Sequence, residues 1–144
     1  MVCWVLFTVL ISSCQKNEVD TNRFVKQGRW QMTILQIGTN GNSMLPKWEI
    51  DPSDDPLQYG TGTWIHKDGS RAQFKWIFEH YDYTFTFYPV NSAEQDASCK
   101  AYLQCSNLAG TYDIITDKNK LFEFESYETD GYPGISVFIQ LKPL

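Results

Sequence analysis

Apolar and polar side chains alternate at every second residue along much of the chain, which is the period of a β-strand with one buried face. The clearest run covers residues 72–79, where the apolar face is formed by Ala72, Phe74, Trp76 and Phe78. In residues 28–38 the same period places Trp30, Met32 and Ile34 on one face. No stretch of the sequence keeps apolar residues at helical spacing for three turns. The pattern therefore predicts an all-β domain.

Turn sequences divide the chain into about eight predicted strands. Asn40-Gly41, Asp68-Gly69 and Asp130-Gly131 suit tight turns, because Asn, Asp and Gly tolerate positive φ. Residues 51–56 contain two prolines and no apolar residue of strand type, so they predict a loop. Residues 91–107 are rich in helix-forming residues and predict one or two helical turns laid over an end of the sheet.

Eight antiparallel strands joined by short turns predict an up-and-down barrel, because closure pairs the two edge strands of the sheet. Such a barrel has an interior that is filled by side chains or by one small ligand. A two-sheet β-sandwich is the alternative arrangement. In both arrangements residues 24–144 form one domain, which is long enough to bury a core without further support.

The start of the chain has the features of an export signal. Residues 2–11 form an apolar run that is too short for a membrane span of about 20 residues but suits the core of a signal peptide. The run ends in Ile11-Ser12-Ser13-Cys14, which resembles the lipobox of bacterial lipoproteins. The resemblance implies a lipoprotein signal peptide at residues 1–13, lipidation of Cys14, and a location in the bacterial cell envelope on the periplasmic or surface side of a membrane. A secretory peptide removed without lipidation is the alternative.

Residues 14–23 are mostly polar and show no periodicity, so they predict a flexible tether between the lipid and the folded domain. The chain as a whole carries a formal net charge of -5. Negative charge repels phosphate groups, which argues against nucleic acid or an anionic membrane surface as a partner. The expected membrane contact is therefore the lipid on Cys14.

Two cysteines follow the predicted tether, Cys99 and Cys105. In an exported protein such a pair favours a disulfide. A continuous helix would separate the two positions by about 9 Å, beyond the roughly 7 Å that bridged Cα atoms allow, so the disulfide requires a bend between them. A zinc site is the alternative, but it needs four ligands, and the two histidines of the chain lie far away in sequence.

Glycine precedes an aromatic residue by two positions in Gly28-Arg29-Trp30, Gly62-Thr63-Trp64 and Gly110-Thr111-Tyr112. The first of these resembles the Gly-x-Trp sequence that opens the first strand of lipocalins. Together with the lipobox and the polar tail, the layout is similar to that of small lipocalin-like lipoproteins of Bacteroidota. The resemblance implies a lipocalin-like barrel that binds a small apolar molecule.

The candidate ligand contacts are aromatic side chains at strand spacing, which line a barrel interior if that interior is open. They are Trp30, Trp64, Phe74, Trp76, Phe85 and Phe87. The alternative is a solid core in which these rings pack against one another. The loops at residues 51–56 and 91–107 then offer a surface for a protein partner, as in an accessory subunit of an envelope complex. The volume of the interior distinguishes the two hypotheses.

No arrangement of residues in the sequence points to catalysis. There is no nucleophile paired with a base and no phosphate-binding loop. His66 and His80 lie in or beside predicted turns, where histidine is usually solvated. The acidic residues between positions 49 and 55 do not have the spacing of an EF-hand loop. We therefore expect no enzymatic activity, no metal and no cofactor.

Overall fold

The computed structural model describes residues 21–52, 58–90, 98–118 and 120–144. The predicted signal peptide, Cys14 and most of the predicted tether lie outside these ranges, as do residues 53–56 of the first predicted loop and residues 91–97 of the second. The elements, in chain order, are α1 (Thr21–Gln27), β1 (Arg29–Ile37), β2 (Asn40–Gly41), β3 (Lys47–Ile50), β4 (Tyr59–Ile65), β5 (Arg71–Glu79), β6 (Thr84–Pro89), α2 (Lys100–Leu108), β7 (Gly110–Lys118), β8 (Leu121–Thr129) and β9 (Tyr132–Pro143).

Eight of these strands form a closed antiparallel barrel in the order β1-β3-β4-β5-β6-β7-β8-β9. The last strand returns to the first, with pairs from Trp30 opposite Pro143 to Ile37 opposite Val137. The two-residue strand β2 adds to the end of β1 through a tight turn. The predicted up-and-down barrel is confirmed, and the sheet closes on itself rather than splitting into a sandwich.

Strand β5 shows why the sequence folds in this way. Its residues alternate strictly between buried and exposed until Ile77, and Ala72, Phe74, Trp76 and Phe78 all face the interior as predicted. In β1 the alternation is interrupted, because the register with β9 shifts between Met32 and Ile34. This β-bulge turns Ile34 outward and brings Leu35 into the core, so the prediction that Ile34 shares the buried face is wrong.

The barrel interior is filled with aromatic rings. Twelve large side chains are almost completely buried, namely Phe24, Trp30, Trp48, Trp64, Phe74, Trp76, Phe78, Phe85, Phe87, Tyr112, Phe122 and Phe124. Neighbouring rings approach to centroid distances as short as 4.7 Å, between Phe78 and Phe85 and between Phe85 and Phe124. These are the distances at which aromatic pairs stabilise a core. The rings therefore form one continuous packed cluster.

The two helices lie at opposite ends of the barrel, because α1 precedes the start of β1 and α2 follows the end of β6, five antiparallel strands later. Phe24 of α1 inserts into one end and contacts the rings of Trp30 and Phe122. The Nε1 of Trp30 donates a hydrogen bond to the carbonyl oxygen of Phe24 at 3.1 Å. Helix α1 thus begins inside the segment predicted as a tether and closes this end of the barrel. Within the described ranges, neither helix is long and apolar enough to span a membrane.

Candidate functional site

The six aromatic residues predicted to contact a ligand all lie inside the barrel, and the structure brings them together. Each is fully buried. Trp30, Trp76 and Phe85 surround Phe24 at the α1 end, with centroid distances of 5.4–5.8 Å. The remaining three candidates surround Trp48 at centroid distances of 5.2–5.4 Å. They are Trp64, Phe74 and Phe87. The rings contact one another, and their part in ligand binding stays a prediction.

An open groove of about 270 Å³ lies at the other end of the barrel, beside α2. It is bounded by α2, by the end of β1, by the segment around Met44 and by Tyr132. The apolar residues of its lining are Leu35, Ile37, Met44, Leu103, Leu108 and Tyr132, and the polar ones are Asn42, His66, Lys100, Gln104 and Asn107. Leu35 and Leu108 are buried and form the floor, while Met44 and Leu103 are 49% and 42% exposed at the rim.

Helix α2 is fixed over the barrel at both of its ends. Its buried face consists of Ala101, Cys105 and Leu108. At its start, the backbone N–H of Ala101 donates to Oγ of Ser70 at 3.0 Å, since the helix has no capping side chain of its own. At its end, the hydroxyl of Tyr112 donates to the carbonyl oxygen of Leu108 at 2.6 Å. The helix wall of the groove is therefore anchored at two places, to the turn between β4 and β5 and to β7.

Gln104 connects the groove to the barrel interior. Its side-chain Oε1 accepts a hydrogen bond from Nε1 of Trp64 at 3.0 Å, and its Nε2 donates to the carbonyl oxygen of Met44 at 2.7 Å. The indole of Trp64 belongs to the packed aromatic cluster, whereas Met44 forms part of the rim. Gln104 therefore links the Trp64 indole to the groove rim through two hydrogen bonds.

The turn between β4 and β5 sets the charge beside the groove. Oδ1 of Asp68 accepts hydrogen bonds from the hydroxyl and the backbone N–H of Ser70, at 2.7 and 2.9 Å, and lies 2.9 Å from Nδ1 of His66. These bonds from Ser70, followed by the interaction with His66, lower the pKa of Asp68 to about 2. The carboxylate thus remains ionised, and it is occupied by groups of its own turn.

The disulfide predicted between Cys99 and Cys105 is absent, and both thiols are free. Cys99 is the residue before the first turn of α2, and Cys105 lies within the same unbroken helix. Six helical residues separate their Cα atoms by about 9 Å, which is too far for a bridge. The segment does not make the bend that the disulfide requires. Burial also raises the pKa of the Cys105 thiol, so this group stays protonated.

Metal ligands do not cluster in the described ranges, where no three His, Cys, Asp or Glu side chains are placed to hold an ion. His66 follows β4 at the groove end of the barrel. His80 follows β5 at the opposite end. The two histidines are thus too far apart to share a site.

The groove residues Lys100, Leu103 and Gln104 were not among the candidates from the sequence. The available signal was the helix-forming segment predicted to lie over an end of the sheet, which is confirmed as α2. That signal indicates a helix, but it does not indicate that a groove opens between the helix and the end of β1.

No known protein family model matches the chain, and no curated protein matches its sequence. The fold and the groove beside α2 are therefore the features that indicate a function.

Proposed function

We propose that the protein is a lipid-anchored envelope protein whose lipocalin-like barrel binds a small, mainly apolar molecule in the groove beside α2. The observation that carries the proposal is the groove itself, with a buried apolar floor and a few polar side chains around it. Binding sites for small molecules have this composition. Its volume of about 270 Å³ lies just below the usual range of roughly 300–1,000 Å³, which favours a small ligand.

The site lies outside the aromatic cluster, because the rings inside the barrel already fill the space between them. A ligand beside α2 contacts Leu35 and Leu108 without displacing any ring. The proposed role is binding without catalysis.

Substitution of Leu103 by serine tests the groove. Leu103 lines the groove and is 42% exposed, so its truncation removes apolar contact with a ligand without opening the core. We expect the affinity for 1-octanol, a small apolar probe, to fall about fivefold, which corresponds to ~1 kcal/mol of lost apolar burial. Quenching or shift of tryptophan emission on titration gives the measurement.

Ile115→Ser is the matched control, because Ile115 is 53% exposed on β7 and does not line the groove. This variant is expected to bind 1-octanol as the native protein does. Equal losses of affinity for 1-octanol in both variants, or no binding of 1-octanol to the native protein, would contradict the proposal.

The anchoring part of the proposal depends on Cys14, which follows the apolar run at the start of the chain. Two or more acyl chains hold a protein stably on a membrane, at about 0.8 kcal/mol for each buried methylene. In a bacterial host, Cys14→Ala is expected to shift the protein from the membrane fraction to the soluble or unprocessed fraction. Fractionation followed by mass spectrometry of the first residue measures this, and an unchanged membrane fraction would overturn the lipid anchor.

A protein partner is the second candidate, and the solid aromatic interior favours it. The rings of the described core contact one another and leave little room for a ligand between them, so the surface of the barrel becomes the place of recognition. Exposed Met44 and Leu103 at the groove rim are suitable contacts. The two functions differ in the 1-octanol titration, because a surface used only for a protein partner gives no saturable binding of the alcohol.

A further inference from the structure

The groove beside α2 contains a positive charge at the edge of its apolar lining. Lys100 is the one lysine or arginine of the described lining, and no carboxylate is part of that lining. Lys100 is exposed at the first position of α2 and forms no ion pair with another described residue. A lysine ammonium in this position is an available point charge for an anionic group.

The carboxylate of Asp68 lies beside the groove residue His66, and it is already engaged. Three groups of its own turn contact its Oδ1, two from Ser70 and one from His66. The imidazole of His66 forms part of the groove lining, and its Nδ1 faces Asp68. Asp68 itself is not part of the described lining, so within that lining Lys100 has no neighbouring carboxylate.

The apolar and charged parts of the groove have a definite order. Lys100 is at the start of α2, Leu103 and Gln104 occupy the next turn, and Leu108 ends the helix. Residues three and four apart share a helix face, so Lys100, Leu103, Gln104 and Leu108 follow one another along the wall. Lys100 therefore lies at one end of this helix wall and Leu108 at the other.

We propose that the ligand of the groove is a short amphiphile with a carboxylate head, whose head binds Lys100 and whose aliphatic chain covers Leu103, Leu35 and Leu108. This inference rests on the proposed function, since it specifies the chemical class that the same groove binds. It predicts that affinity depends on charge at one end of the ligand and on chain length at the other.

Octanoate and 1-octanol are the matched probes, because they have the same number of carbon atoms and differ in the charged head. Native protein is expected to bind octanoate about three- to fivefold more tightly than 1-octanol, the effect of one partly exposed ion pair. The difference is expected to shrink at high salt, since ions screen exposed pairs. Each methylene added to the shorter carboxylate hexanoate is expected to strengthen binding about fourfold until the groove is full.

Lys100→Met tests the head contact, because it keeps the length of the side chain and removes its charge. The variant is expected to bind octanoate and 1-octanol equally, while Lys100→Arg retains the preference for octanoate. Lys75→Met is the control, since Lys75 is exposed on the outer face of β5 and does not line the groove. Tryptophan emission and calorimetry measure all four proteins, and their circular dichroism shows that each is folded.

The outcomes separate this inference from the proposed function. If native protein binds the two probes equally and Lys100→Met changes neither affinity, the carboxylate inference is overturned while binding in the groove stands. If Lys75→Met weakens octanoate as much as Lys100→Met, the effect is one of overall charge and the inference is also overturned. If neither probe binds native protein, the proposed function fails together with the inference.

Discussion

Replacing Phe24 by alanine is expected to lower the free energy of unfolding by about 3–5 kcal/mol, the cost of removing a fully buried phenylalanine. Phe24 closes the α1 end of the barrel, and its ring contacts those of Trp30, Trp76 and Phe78 at 5.4–5.7 Å. Without the ring, a cavity opens beneath α1. The helix has seven residues and is too short to be stable without this contact. Urea unfolding followed by tryptophan emission measures the loss.

Tyr81→Ala is the control for Phe24→Ala. Tyr81 is fully exposed in the turn between β5 and β6, so its truncation is expected to change the free energy of unfolding by less than about 0.5 kcal/mol. A Phe24→Ala loss as small as that of Tyr81→Ala would show that α1 is not part of the folded domain.

Replacing Gly110 by alanine is expected to destabilise the protein by about 2–5 kcal/mol, through steric overlap and an unfavourable backbone conformation. Gly110 begins β7 at a φ of +152°, and a Cβ atom at this position lies 2.7 Å from the carbonyl oxygen of Glu128. The same atom lies 3.2 Å from Cα of Thr129. Both neighbours are backbone atoms of β8, so they move only if the pairing of β7 with β8 changes. The thermal unfolding midpoint measures the effect.

Gly41→Ala provides the matched comparison, because no atom lies within 4 Å of a Cβ added at Gly41 and its φ is not positive. A change of less than about 1 kcal/mol is expected for this exposed position. Similar stability of the two alanine variants would disprove the close approach of β7 to β8 at Gly110.

The alternation of side chains predicted strands with one buried face, which a barrel and a sandwich share, and the pairing of β1 with β9 is what distinguishes the barrel. In β5 the predicted apolar face is the observed one, and the short turns allow each strand to pair with the next. The β-bulge in β1 could not be predicted in this way, since it depends on the register between Met32 of β1 and the distant strand β9. Helix α1 was also missed, because a helix of two turns with Phe24 and Val25 adjacent in sequence has no apolar period.

The position of the candidate site could not be predicted from the sequence. The alternation identifies Trp64, Phe74 and Phe87 as inward-facing, but it does not distinguish rings that line a cavity from rings that fill the interior. The groove is formed by residues far apart in sequence, such as Leu35, Leu103 and Tyr132. It appears only when the barrel is closed and α2 lies over its end. The disulfide prediction failed for a related reason, since the helix separates Cys99 from Cys105.

The most direct test of ligand binding in the groove beside α2 is to locate a bound ligand by nuclear magnetic resonance. Isotope-labelled protein is titrated with octanoate, and the backbone amides that change are mapped onto the fold. If octanoate binds in the groove, the amide resonances of Leu103, Gln104 and Asn42, which border the groove, shift until they saturate. The resonances of Phe74 and Trp76 inside the barrel change little. Shifts centred on Phe74 and Trp76, or no saturable shift at the groove residues, would contradict binding in the groove.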